Sequence, residues 1–136
     1  MKFSLDQAGG FAIRSYSADT IIVTRRHAEG DDTAPVTDER ILSQSLILTA
    51  DTIVEDWPIR RVEHLKSEHL TPILELEPEL VILGVGPRLR YPDQNVVARF
   101  ATAQVGVEIM DTGAACRTYN VLMTEGRHVV AALILE

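Results

Sequence analysis

Three short apolar runs shape the second half of the chain: ELVILGV at 79–85, VEIM at 107–110 and RHVVAALILE at 127–136. Two segments of helix length separate them, DQNVVARFATAQVG at 93–106 and DTGAACRTYNVLMTEG at 111–126. A continuous apolar run of strand length suits a strand covered on both faces. Strands that alternate with amphipathic helices need a sheet flanked by those helices. The pattern therefore predicts an α/β domain whose central sheet includes 80–85, 107–110 and 128–135. Right-handed crossovers then make 80–85 and 107–110 parallel.

The helices carry boundary signals. Asp93 can cap the first, Val97, Phe100 and Ala101 line one face, and Gly106 ends it. Asp111 or Thr112 caps the second, and Gly126 stands at its end. Ala115, Tyr119 and Leu122 are spaced four and three apart, so they share one stripe.

The first half is less regular. GFAIRSYSADTIIVTRR at 10–26 reads as a β-hairpin turning at Ser17, Ala18 and Asp19. HAEGDDTAPVTDE at 27–39 is acidic and aperiodic, as expected of a loop. RILSQSLILTA at 40–50 returns to strand character, and Pro58 breaks EDWPIRRVEHL at 55–65. SEHLTPILEL at 67–76 suits a short helix, with Ser67 as N-cap or with Thr71 and Pro72 as N-cap and first residue. Trp57 is expected to plug the edge of the core. No repeat or linker divides residues 1–136, so one domain is expected.

With 46% hydrophobic and 24% charged residues, the composition is that of a globular protein. The net charge of −7 argues against nucleic acid or an anionic membrane surface as the main partner, since both need a basic face. No stretch approaches a membrane span, and the N-terminus has no apolar core of a secretory signal. The one cysteine, Cys116, allows no internal disulfide. Together these features predict a cytoplasmic protein.

The Gly84-Val85-Gly86 turn poses a choice between a phosphate cradle and a structural turn. A dinucleotide fingerprint wants a third glycine where Leu89 stands, and Pro87 removes an amide donor. The structural turn is the better reading, although Arg88 and Arg90 could offer charge to an anion. Asp111-Thr112-Gly113 has the aspartic-protease signature, but residues 112–136 cannot build the rest of a protease lobe. Cys116 sits near a helix start beside Arg117, a setting that can activate a thiol, with His128 the nearest histidine. A buried, inert thiol packing on the sheet is the better reading. The four histidines have no ligand spacing, so no metal is expected. The loop 84–90 and the helix start at 111–116 both follow strand ends and should lie side by side.

The ordered pieces LVILGVG and VEIMDTGAACRTYNVLMTEGRHVVAALI resemble a small domain family of unknown biochemical activity. Its members include mitochondrial respiratory complex I assembly factor 3 and the adipogenesis-associated Mth938-like domain proteins. The resemblance covers about residues 40–135, and Val85 replaces the threonine usual in the family's turn. It implies a three-layer α/β sandwich around a mixed sheet, preceded here by the N-terminal β-hairpin region. It implies no catalytic residues and no cofactor. Position by position it carries over Gly84, Gly86, Asp111, Thr112, Cys116, Asn120 and Arg127 as a candidate pocket, to which Arg88 is added for its charge. The absence of a transit peptide suits a bacterial member. The function expected is a non-catalytic binding or assembly module with a protein partner, linked by the resemblance to respiratory-complex assembly. The alternative is a small-molecule or thiol-dependent enzyme using Cys116 and the loop Gly84–Arg90.

Overall fold

The computed structural model describes residues 10–26 and 37–136. Strands β1 (Phe11–Tyr16), β2 (Ile21–Arg26) and β3 (Thr37–Leu42) form an antiparallel sheet in that order. A second sheet contains β4 (Leu46–Leu48), β5 (Ile53–Val54), β6 (Leu80–Gly84), β7 (Gly106–Met110) and β8 (Val129–Leu133). Its order is β5-β4-β8-β6-β7. Strand β8 is parallel to β6 and antiparallel to β4, and β6 is parallel to β7, so the sheet is mixed. The helices are α1 (Thr71–Leu74), α2 (Gln94–Thr102) and α3 (Thr112–Thr124). Short 3₁₀ turns cover Val62–His64 and Ser67–Leu70.

The apolar runs do what their continuity predicts. All five residues of β8 are buried, and its alternate side chains feed two separate cores. Val129, Ala131 and Leu133 point into one with α3 and the small sheet. Val130, Ala132 and Ile134 point into the other with α2 and Trp57. Strand β6 divides likewise, with Ile82 on the first side and Val81, Leu83 and Val85 on the second. The period of two puts one apolar set on each face, which is why neither face of this sheet can be left wet. The result is three layers: the small sheet with α3, the mixed sheet, and α2 with the 3₁₀ turns.

The hairpin turns where expected, with Ser17 N–H donating to Thr20 O at 2.8 Å. Its sheet continues further than a hairpin, because Thr37, Asp38 and Glu39 belong to β3 rather than to a loop. The rest of that expected loop, 27–36, lies outside the described residues. The strand expected over 40–50 divides at Ser43–Ser45 and passes from one sheet to the other. Ser67 does not cap the helix after it. His69 Nδ1 accepts the Lys66 N–H at 2.9 Å, and α1 begins at Thr71 with Pro72 in its first turn. On α2, Val96 and Phe100 are buried, whereas Val97 and Ala101 are exposed. That helix ends before Gly106: Gln104 takes φ +60°, its N–H reaching Ala101 O and Val105 N–H reaching Phe100 O. This is a Schellman closure on a residue other than glycine. Trp57 is buried, its indole N–H donating to His69 O at 3.1 Å.

Candidate functional site

Strand β6 connects to α2 on one face, and its neighbour β7 connects to α3 on the other. The C-terminal ends of two such strands form the switch point at which open α/β sheets tend to leave a crevice. Here the crevice is closed by Thr112. Its hydroxyl accepts the Gly86 N–H at 2.8 Å and donates to Ile134 O at 2.8 Å. The Thr112 N–H donates to Gly86 O at 2.8 Å, and Val85 N–H donates to Met110 O at 2.9 Å. The turn conformation demands glycine at 86, where φ is +108°. Position 84 demands it for another reason: a Cβ there would lie 3.0 Å from Thr112 Cα and from Ala115 Cβ.

These bonds decide between cradle and turn. Anion binding at a helix start needs backbone amides aimed at open space. The Gly86 and Thr112 amides are engaged within the protein, and Ala114 N–H donates to Asp111 Oδ1 at 2.8 Å. Asp111 is therefore the cap of α3, and Thr112 is its first residue.

Outside the closed crevice lies a cleft of ≈ 320 Å³, walled by the β1–β2 turn, the Gly86-Pro87 turn and the first turns of α3. Tyr16 stands at its mouth. The Arg117 guanidinium donates to the Tyr16 hydroxyl and lies 5.9 Å from the ring centroid. A Cβ at Gly113 would come within 2.9 Å of Tyr16 Cε1, so the missing side chain is what lets the ring settle over the helix start.

The loop at Gly86 and the helix start at Thr112 thus lie side by side, as the sequence led us to expect. Of the candidate residues, Gly86, Asp111 and Thr112 line the cleft. Gly84 is buried beneath α3. Arg88 is exposed on the loop with no ion pair among the described residues. Cys116 is fully buried, and burial pushes its thiol up to about 12 despite the adjacent Arg117, the reverse of an activated nucleophile. Asn120 clamps β1: its Oδ1 accepts the Ile13 N–H at 2.8 Å and its Nδ2 donates to Ile13 O at 2.7 Å. Tyr119 makes a similar tie to Phe11 O at 2.8 Å. Strand β1 is an edge strand, and these side chains satisfy the backbone groups that a further strand would otherwise take. Arg127 lies beyond the far end of α3, whose rise from Thr112 to Thr124 is about 18 Å, and does not join the cleft. Tyr16, Ala18 and Arg117 were not anticipated as lining residues. Tyr16 and Arg117 are 101 residues apart, and only Gly113, a glycine in a helical first turn, gave a local signal.

Comparison with known proteins fits this architecture. The chain is 33% identical over 90 residues to the 13 kDa major membrane protein of Francisella tularensis subsp. holarctica, covering 65% of this chain and 73% of that protein. Among the described residues no helix is long and apolar enough to cross a membrane. It is 31% identical over 108 residues to NADH dehydrogenase [ubiquinone] 1 alpha subcomplex assembly factor 3 of Xenopus tropicalis. That match covers 71% of this chain and 59% of the relative. A Bordetella pertussis protein described as a Mth938-like domain superposes with a TM-score of 0.69 at 24% identity, covering 99% of this chain and 89% of that one. The family model described as protein of unknown function (DUF498/DUF598) matches residues 13–134, further upstream than the resemblance read from the sequence. Since that match runs from β1 to just past β8 and takes in both sheets, the chain belongs to the DUF498/DUF598 family.

Proposed function

We propose that this protein is a non-catalytic binding module that holds a protein partner during assembly of a larger complex. The observation that carries the reading is the commitment of the reactive groups around the Gly86 turn. The Thr112 hydroxyl bridges two backbone groups, the Asp111 carboxylate caps α3, and the Cys116 thiol is buried and protonated. Covalent or acid–base catalysis needs a nucleophile or base free to meet a substrate. The loop beside the cleft is instead suited to contact: Leu89 is 51% and Tyr91 71% exposed, next to the exposed Arg88. Tyrosine and arginine are enriched at binding hot spots, and here Tyr91 and Arg88 stand on one loop with Leu89 between them. The assembly-factor relatives direct the choice of partner toward subunits of NADH dehydrogenase. On this reading residues 1–136 act as one unit in the cytoplasm.

The test is co-purification from the native cell of tagged protein, with NADH dehydrogenase subunits identified by mass spectrometry. The expected result is capture by the wild-type chain and its loss in Leu89→Ala/Tyr91→Ala, with an unchanged circular dichroism spectrum. Steady turnover of a substrate by purified protein, abolished by Cys116→Ser or Asp111→Asn, would favour an enzyme instead.

A further inference from the structure

Gly86 has a second neighbour. A Cβ there would lie 2.9 Å from Glu136 Oε2, and Glu136 borders two hollows of ≈ 220 and ≈ 440 Å³. The hollows adjoin, sharing Pro58, Arg60 and Glu136 as their common wall, and together make up a two-part trough. Its smaller end is lined by Ser45, Trp57 and Leu135, and its larger end by Arg61 and His64. We infer that this trough takes an acidic segment of the protein partner, an apolar side chain entering beside Trp57 and a carboxylate meeting Arg60 and Arg61. The inference rests on the binding-module reading and names the chemistry of the segment bound.

Charge distribution is the first argument. The chain carries −7 overall, yet Arg60, Arg61 and His64 line one concavity, with Arg90 beside it. The carboxylates facing them are Glu63 and Glu136. Glu63 is paired with Arg90 and lies 3.6 Å from Arg61, while Glu136 lies 3.9 Å from Arg90. Arg60 is left exposed with no ion pair among the described residues. Glu136 Oε2 is buried without a hydrogen-bond partner, so an anionic side chain is admitted only at the Arg60 side of the trough, and the net charge of −7 disfavours looser contacts elsewhere.

Preorganisation is the second. The Trp57 indole is fixed by His69 O, and Ser45 Oγ accepts the Leu135 N–H at 2.9 Å. Such a wall loses little freedom on binding, so an apolar side chain placed against it yields more affinity than on a mobile surface. A longer polyanion such as nucleic acid fits poorly, because the net charge of −7 opposes an extended run of phosphates.

The test uses the full chain and a fluorescein-labelled hexapeptide of alternating leucine and aspartate, followed by anisotropy. A leucine–lysine hexapeptide serves as control and inorganic phosphate as competitor. The acidic peptide should bind, more weakly as salt rises, and the basic one should not. Arg60→Glu/Arg61→Glu should weaken binding about tenfold or more and Arg60→Gln by less, with the circular dichroism spectrum unchanged. No binding of the acidic peptide up to about 1 mM overturns the proposal. So does displacement by phosphate at concentrations equal to the peptide, which would make this a free-anion site. The double variant is also carried through the native-cell co-purification. Subunits retained by Arg60→Glu/Arg61→Glu but lost in Leu89→Ala/Tyr91→Ala would overturn the trough and leave the binding module standing. Failure of the wild-type chain to retain any subunit, with peptide binding intact, would overturn the binding module alone.

Discussion

The backbone N–H of Gly86 donates to the hydroxyl oxygen of Thr112 at 2.8 Å, across 26 residues of sequence. Through its second bond, to Ile134 O, that hydroxyl ties the turn after β6 to the end of β8. Thr112→Val keeps the shape and leaves a buried N–H and a buried C=O without a partner. The expected loss is on the order of 2–4 kcal/mol, with Thr112→Ser recovering much of it. Urea denaturation midpoints measure both, and an unshifted midpoint for the valine variant would show that the bridge is dispensable.

Two glycines of the site should respond differently to alanine. At Gly84 the new methyl meets the Thr112 backbone and Ala115 Cβ at 3.0 Å, which α3 must move to accommodate; the cost is about 1–3 kcal/mol. At Gly113 the methyl meets Asp111 Oδ1 in ordinary contact at 3.4 Å and crowds only the ring edge of Tyr16, an exposed side chain that can swing away. Gly113→Ala should cost less than about 1 kcal/mol and abolish nuclear Overhauser contacts between the Tyr16 ring and residue 113.

Gln104 closes α2 in the left-handed region at φ +60°, a conformation that glycine adopts without steric strain. Gln104→Gly should raise stability by about 0.5–1 kcal/mol, read as a higher denaturation midpoint. A lower midpoint would mean that the added freedom of the unfolded chain outweighs the relief.

Burial pushes the Cys116 thiol from 9.0 to about 12, and burial with the charge of Asp51 pushes the Tyr119 phenol up as well. In the unfolded chain these groups ionise first, so raising the pH favours unfolding. Stability should be full below about pH 9 and fall as pH rises toward 12. Cys116→Ala should flatten the first part of that decline. A thiol reagent at pH 8 should modify the native protein only at the rate at which it opens, and immediate stoichiometric reaction would contradict the burial.

Asn120→Ala removes both bonds to Ile13 and leaves the edge strand β1 with two unmet backbone groups. A loss of about 1–3 kcal/mol is expected. Amide hydrogen exchange should quicken first in β1 and β2, because α3 then holds them by apolar contact, by Tyr119 and by the exposed Arg117–Tyr16 bond. Uniform exchange across both sheets would refute that order.

Local signals sufficed for much of this molecule. The apolar runs at 80–85 and 128–135 became central strands of one sheet because burial on both faces requires unbroken apolar sequence, and 107–110, interrupted by Glu108, became its half-exposed edge. Asp111 announced the start of α3, and Gly126 its end at φ +80°, since capping chemistry lies within a few residues. Other features depended on distant parts of the chain. Whether Ser43–Ser45 interrupts a strand depends on a second sheet lying there to receive β4. Asn120 and Cys116 carry the residue types of a pocket, yet packing against β1 and the mixed sheet committed one to a backbone clamp and sealed the other away. Tyr16 joined Arg117 only when β1 docked beside α3. Hydrophobic period and capping act within a few residues and are legible in sequence. The partner of a side chain and its exposure are set by elements a hundred residues away, and only the assembled layers decided them.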